Sequence, residues 1–407
     1  MPHQDSIADM LDGYIDREDL AGAATVVCRQ GQVVQSCARG WRDREALDFL
    51  EGDAIFRIAS MSKPITSVAA MMLVEEGAIV LDEPITAWAP EFADMWVMQS
   101  VDGSLDDSIP AVREITFRDL LTHRAGLTYG SFHAGRIAAA HLAALGSDID
   151  SPLEPDAWIA ALAGLPLIDQ PGRGFHYGHS TDVLGFLIAR IEGEPLGEVL
   201  RRRIFAPLGM ADTGFAVPPL KAHRVAHLYG FDEAGKLEVR PEGGSGAGAL
   251  LERRPLGMTF VSGGAGLWST LQDYLRFAGL FLGDGMAGGM RLLRPETLQQ
   301  MMTNQLTEDQ RAQARIMGQP IFAGHGFGLG LAVVMEPEHA SVTLCNGQVG
   351  TVGWPGAYGG WWQADPSDQR IMIFLTQNLL DPGQMATGIG LGVYGAIGEF
   401  HRLAAKP

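Results

Sequence analysis

Phe56-Arg57-Ile58-Ala59-Ser60-Met61-Ser62-Lys63-Pro64 stands directly ahead of a long apolar run that reaches Val74, and the rest of the chain is read from it. Pro64 fits the first turn of a helix, where a missing amide donor is harmless, and Gly77 lies beyond its end. A helix starting near Ser60 puts residues i and i+3 on one face, so the Lys63 ammonium reaches the Ser60 hydroxyl. A serine hydroxyl is a poor nucleophile until a base takes its proton or a cation favours the alkoxide, and the positive end of a helix adds to that effect. The chain has four lysines, at 63, 221, 236 and 406, and only Lys63 stands three residues after a serine. Taken alone, the tetrapeptide is equally a helix start beside a solvated lysine. Its companions have to carry the chemistry.

At 407 residues the chain is long enough for two domains, or for one large domain with a substantial insertion. A hydrophobic fraction of 46% with 8% aromatics is that of a globular protein. The formal charge of −18, from 30 basic and 48 acidic residues, argues against nucleic acid or an anionic membrane as a partner. Arg201-Arg202-Arg203 and Arg253-Arg254 are short local exceptions that read as solvated faces. Met1-Pro2-His3-Gln4-Asp5-Ser6 has no cationic segment followed by an apolar run, so no secretory leader is expected, and no apolar span suits a membrane helix. Cys28, Cys37 and Cys345 read as free thiols, consistent with a reducing cytoplasm.

Apolar residues at helical spacing predict a helix over 6–20, and a hairpin follows from 24–28 and 33–37 around Gly31. Helical patterns dominate 78–215, with a capping arrangement at Thr116-Phe117-Arg118-Asp119 and helices over 155–164, 180–192 and 196–205. Residues 243–248 read as a flexible glycine-rich loop, and 271–282 as a further helix. Strands are expected at 328–335, 342–345, 358–364 and 370–376, and a closing helix at 385–403. Strands at both ends with a helical middle predict a mixed α/β fold, an antiparallel sheet built from both termini and flanked by helices. The division expected is a sheet domain of 1–60 and 245–407, a mainly helical insertion of 61–244, and an active site between them.

Several chemistries are closed off. There is no Gly-x-Ser-x-Gly elbow, and neither His-Glu-x-x-His nor Cys-x-x-Cys occurs, so no metal or other cofactor is called for. An activated serine needs a base and amide donors for the developing oxyanion. Tyr177 sits in a loop before the helix near Ser180, and a phenol, which ordinarily ionises near pH 10, acts as a base near neutrality only beside a cation such as Lys63. Trp354-Pro355-Gly356-Ala357-Tyr358-Gly359-Gly360-Trp361-Trp362 is small-residue-rich and leads into a strand. It would let the Ala357 amide approach a substrate and pair with that of Ser60 as an oxyanion hole. Locally, a bulged strand edge explains the same segment equally well.

The order Ser60-x-x-Lys63, then Tyr177, then a glycine-rich strand resembles the serine β-lactamase and penicillin-binding superfamily, specifically class C β-lactamases and family VIII carboxylesterases. Landmarks at 120–127, 207–215 and 262–270 are similar too. The resemblance implies Ser60, Lys63 and Tyr177 as the catalytic group, with Tyr129, His179, Trp354, Gly356 and Tyr358 around the substrate. Two departures point to the esterase branch. Tyr177-Gly178-His179 replaces Tyr-x-Asn, and Trp354-Pro355-Gly356 replaces Lys-Thr-Gly, so the cation that would anchor a β-lactam carboxylate is missing and Trp354 offers an aromatic wall. His179 is expected to orient its loop more than to touch substrate. The reading is a cytoplasmic serine hydrolase of small esters working through an acyl-enzyme on Ser60, its partner a small-molecule ester and its oligomeric state left open. The alternatives are an amide, D-peptide or β-lactam hydrolase or an acyltransferase on the same fold, and a non-catalytic scaffold.

Overall fold

In the computed structural model, which describes residues 6–240 and 258–405, an eight-stranded antiparallel sheet organises the chain. Its spatial order is His325–Phe327, Ala332–Val334, Val352–Gly353, Trp361–Asp365, Arg370–Thr376, Gly22–Arg29, Gln32–Asp43 and Asp48–Phe49. Two neighbouring interior strands, Arg370–Thr376 and Gly22–Arg29, come from opposite ends of the sequence, with Ala23 opposite Thr376 and Arg29 opposite Arg370. Both are buried on both faces, which explains their nearly continuous apolar composition. Gln30 and Gly31 take positive φ to turn the chain back from Gly22–Arg29 into its hairpin partner.

Alternation along these strands separates two cores. Ala23, Val27, Trp361, Met372 and Phe374 face outward beneath the Ser6–Asp16 and Leu391–Ala404 helices. Ala24, Val26, Trp362, Ile371, Ile373 and Leu375 face the other way and join the main core with residues of the Ser62–Glu75 and Leu271–Ala278 helices. The Ser62–Glu75 helix therefore runs through the interior, with Lys63, Ile65, Val68, Ala69 and Ala70 all sealed from solvent.

The helical middle is present as Phe117–Leu121, Pro155–Ala163, Ser180–Glu192 and Leu196–Leu200, the last continuing as a π-helical turn over Arg201–Phe205. A capping box between Thr116 and Asp119 starts the first of these. Elsewhere the chain departs from expectation. Gly135–Leu145 is a helix that the sequence reading did not single out within the helical middle, ended by Gly146 at φ +75°. Residues 342–345 form a turn, since the Cys345 carbonyl accepts from His325 Nε2 and not from a neighbouring strand; Val352–Gly353 takes the place in the sheet. The first helix stops at Asp16, and the closing one starts at Leu391 behind a separate Pro382–Ala386 turn. The expected loop at 243–248 lies outside the described residues. Cys28 and Cys345 are buried free thiols, and no helix among the described residues is long and apolar enough to cross a membrane.

Candidate active site

Ser60 occupies a single 3-10 turn, Ala59–Met61, that feeds directly into the Ser62–Glu75 helix. Ala59 ahead of it holds φ +44°, a left-handed conformation that costs a non-glycine residue about 1 kcal/mol or more. The surroundings fix that turn. Ile58 N–H donates to the Leu267 carbonyl at 3.0 Å, and the buried Tyr358 ring packs on Ala59.

Lys63 is completely buried, and its ammonium is answered on three sides. Nζ lies 3.3 Å from Ser60 Oγ, 3.3 Å from the Tyr129 hydroxyl and 3.0 Å from the Gly264 carbonyl. It also stands 4.4 Å from the centroid of the Tyr177 ring, over its π face. A buried charge survives only when it is paired or hydrogen-bonded in this way. A side chain at Gly264 would crowd the cluster, since a Cβ would stand 3.0 Å from both the Tyr129 hydroxyl and Asp182 Oδ1.

The two tyrosines divide the work differently from the sequence reading. Tyr129, expected to line the pocket, puts its hydroxyl between Lys63 Nζ and Asp182 Oδ2, 3.3 Å from each. Burial above all, then the Asp182 carboxylate, raises its pKa well above the ordinary phenol value, so it keeps its proton. Tyr177 presents its ring to Lys63, and its hydroxyl accepts from Trp354 Nε1 at 2.9 Å. Trp354 is only 2% exposed, so in place of an open aromatic wall it is a buried prop for Tyr177. Phe132 and Phe175 stack on the Tyr177 ring, and His123 packs against it at 4.8 Å. Burial, with the Lys63 charge, drives the His123 pKa well down and keeps that imidazole neutral.

Asp182 knits the back of the site together. Fully enclosed, it accepts from Ser262 Oγ at 2.5 Å, the Gly264 amide at 2.9 Å, the Tyr129 hydroxyl and His179 Nδ1 at 3.1 Å. His179, at the start of the Ser180–Glu192 helix, is wholly buried behind Tyr129 and away from any open surface. Burial opposes a charge on its ring, but the Asp148 and Asp182 carboxylates outweigh it and raise its pKa to about 9. Gly178 lets the Tyr177 loop cross Thr128, whose Cα would be 2.2 Å from an added Cβ.

The glycine-rich turn closes the site from the sheet side. An added Cβ on Gly356 would come within 2.5 Å of the Ile58 carbonyl, and one on Gly360 within 2.8 Å of Met61 Sδ. The Gly356 N–H to Gly360 carbonyl bond, 2.7 Å, holds the turn against both residues that flank the Ser60 turn. Ala357 projects from its exposed tip. Tyr358 is turned inward and is 2% exposed. The structure thus brings Ser60, Lys63, Tyr129 and Tyr177 together. Asp182 and Gly264 complete the group and went unrecognised in the sequence. Asp182 lies five residues past Tyr177 on a helix face that reads as ordinary amphipathy, and only its place in an apolar turn hints at burial.

A sheet from both termini, a buried Ser-x-x-Lys helix start and a tyrosine from the helical middle define a fold of β-lactamase and transpeptidase type. The chain belongs to the β-lactamase family, whose model matches residues 7–390. It is 41% identical over 382 residues to Protein Rv1367c of Mycobacterium tuberculosis, covering 93% of this chain and 90% of that one. It is 32% identical over 382 residues to Esterase EstB of Burkholderia gladioli, covering 91% and 90%. The solved structure of EstCE1, a hydrolase with promiscuous acyltransferase activity, matches with a TM-score of 0.76 at 28% identity over 96% of this chain and 97% of that one.

Proposed function

We propose that the protein is a serine carboxylesterase that cleaves small esters through an acyl-enzyme on Ser60. The observation that carries this reading is the fully buried Lys63 ammonium held 3.3 Å from the Ser60 hydroxyl at the start of a buried helix. Ser60 Oγ attacks the ester carbonyl. The Tyr177 oxygen takes its proton while the Lys63 ammonium stabilises the charge, and the proton then passes to the departing alcohol. The amides of Ser60 and Ala357 hold the oxyanion, and water activated by the same pair releases the acid. Tyr129 keeps its proton and positions Lys63.

Esters are favoured over β-lactams because the Trp354-Pro355-Gly356 segment carries no lysine, and Lys221 is engaged with Asp212 at 2.6 Å elsewhere. Similarity to Esterase EstB supports the same choice. The test is parallel turnover of a short-chain nitrophenyl ester, a chromogenic cephalosporin and a D-amino-acid amide. Ester turnover is expected to dominate and to vanish, together with fluorophosphonate labelling, in Ser60→Ala. Cephalosporin turnover rivalling the ester, or an unaffected Ser60→Ala, overturns the proposal. Similarity to EstCE1 favours acyl transfer to an added alcohol as a second outcome, read as ester product in the same assay.

A further inference from the structure

Behind Tyr129, on the side away from Ser60, three buried side chains converge from separate segments. They are His141 of the Gly135–Leu145 helix, Asp148 just beyond that helix, and His179 at the start of Ser180–Glu192. Their exposures are 3%, 3% and zero. One donor atom from each lies within 4.8 Å of the others. We infer that His141, Asp148 and His179 bind a divalent transition-metal cation, with zinc the ion that best suits two imidazoles and a carboxylate.

Four features carry this. First, His141 Nδ1 and His179 Nε2 are both sealed from solvent with no hydrogen-bond partner among the described residues. Buried polar atoms are almost always paired, so the His141 nitrogen, left unpaired beside the Asp148 and His179 pair, calls for something to answer it. Second, His179 Nε2 stands 3.4 Å from Asp148 Oδ1. Ligands held about 2.0–2.1 Å from a tetrahedral zinc are themselves about 3.4 Å apart, so this pair already has the spacing of two corners of the site. His141 joins this pair from the Gly135–Leu145 helix, within the 4.8 Å limit.

Third, the outer partners are those of a metal-bound histidine. His179 Nδ1 lies 3.1 Å from Asp182 Oδ2, which fixes the tautomer that turns Nε2 toward the cluster. Asp148 is in turn held by the Gly130 amide at 3.1 Å and the Ser131 amide at 2.9 Å. Fourth, the Asp148 carboxylate faces both imidazoles in a dry, enclosed site, where no solvent competes for a cation. A proton on His179 answers Asp148 and Asp182 but leaves His141 Nδ1 unpaired. The donor set of nitrogen and oxygen selects zinc-like ions over calcium or magnesium. No local motif announces the site, because its ligands are separated by helix and loop. Bound there, the ion would tie the segment carrying Tyr129 to the helix that follows Tyr177.

The experiment uses the untagged full-length protein, assayed for zinc by elemental analysis, then stripped with a chelator and titrated with Co2+. Zinc close to one per chain is expected, with cobalt giving the intense visible bands of tetrahedral coordination. His141→Ala, checked for native circular dichroism, is expected to abolish those bands. Asp182→Asn is expected to weaken metal affinity about 10–100-fold by removing the outer carboxylate. His133→Ala, altering a histidine that bonds Thr128 outside the cluster, is expected to leave affinity unchanged. Absence of stoichiometric zinc together with no tetrahedral cobalt spectrum in the wild-type protein overturns the inference, as does wild-type cobalt binding in a folded His141→Ala. None of these readouts depends on ester turnover, so the inference stands or falls apart from the proposed reaction.

Discussion

Lys63 sits at the crossing point of two phenols with different duties. Tyr129 donates to Asp182 and accepts from the ammonium, whereas Tyr177 offers its ring to the cation and takes a hydrogen bond from Trp354. Substituting each tyrosine separates these duties. Tyr177→Phe is expected to lower kcat for a nitrophenyl ester about 10²–10⁴-fold, the range of a lost acid–base group. Tyr129→Phe removes one hydrogen bond from Lys63 and is expected to cost about tenfold. Equal losses in the two variants would refute this assignment. The Ser60 and Lys63 pair was legible in the sequence because its geometry is local, one turn of helix. The role of Tyr129 was not, because its partner Asp182 is 53 residues away and the contact exists only once two segments cross at Gly178.

Among elements, the turn from Gly356 to Gly360 and the ion-paired loop at Asp212 make opposite kinds of contribution. Gly356 serves position: a methyl group there meets the Ile58 carbonyl and would displace the turn that carries the Ala357 amide proposed for the oxyanion hole. Gly356→Ala is expected to keep a native circular dichroism spectrum and to lose about a hundredfold in kcat, the effect of a misplacement near 1 Å. Asp212 serves stability. The Arg224 guanidinium foremost, opposed by burial and helped by Lys221, holds its carboxyl at about 2. A depressed carboxylate pKa stabilises the fold above the unfolded value near 4 and loses that contribution as pH falls through about 2. Asp212→Asn is therefore expected to cost about 1–2 kcal/mol in urea melts at neutral pH, after screening by solvent, with the gap closing toward pH 2. A gap that persists at pH 2 contradicts the ion-pair account. Elements with strong periodicity or clear caps, such as Ser180–Glu192 and the Thr116 capping box, were legible in the sequence. The Gly135–Leu145 helix was hidden by glycines at both ends, and residues 342–345 only resembled a strand because burial under the sheet selects the same apolar side chains.

On the scale of the molecule, Arg57 and Asp150 fasten the segment leading into Ser60 to the loop beyond the Gly135–Leu145 helix. Arg57 Nη2 lies 3.0 Å from Asp150 Oδ2, both side chains are at most 4% exposed, and the guanidinium rests 4.1 Å over the Trp268 ring. Removing one partner costs a buried guanidinium its facing carboxylate, so Asp150→Ala is expected to lower stability by up to about 3–5 kcal/mol. The double change Arg57→Met with Asp150→Leu is expected to recover most of it, since apolar pairs of similar volume commonly replace buried ion pairs at little cost. Calorimetric melts of the three proteins decide the matter, and a double variant as unstable as the single one argues against the pair. Strands from both ends of the sequence predicted the sheet, and it is there. One of its bonds joins Thr376 Oγ1 to the Gly22 carbonyl across 354 residues. At roughly 5–20 residues per second, synthesis separates those two residues by about twenty to seventy seconds. The apolar Gly22–Arg29 strand leaves the ribosome with its hairpin partner long before Arg370–Thr376, which covers its other edge, exists. For that interval the nascent chain carries a bare β edge, so chaperone demand during translation, more than final stability, is set by this topology.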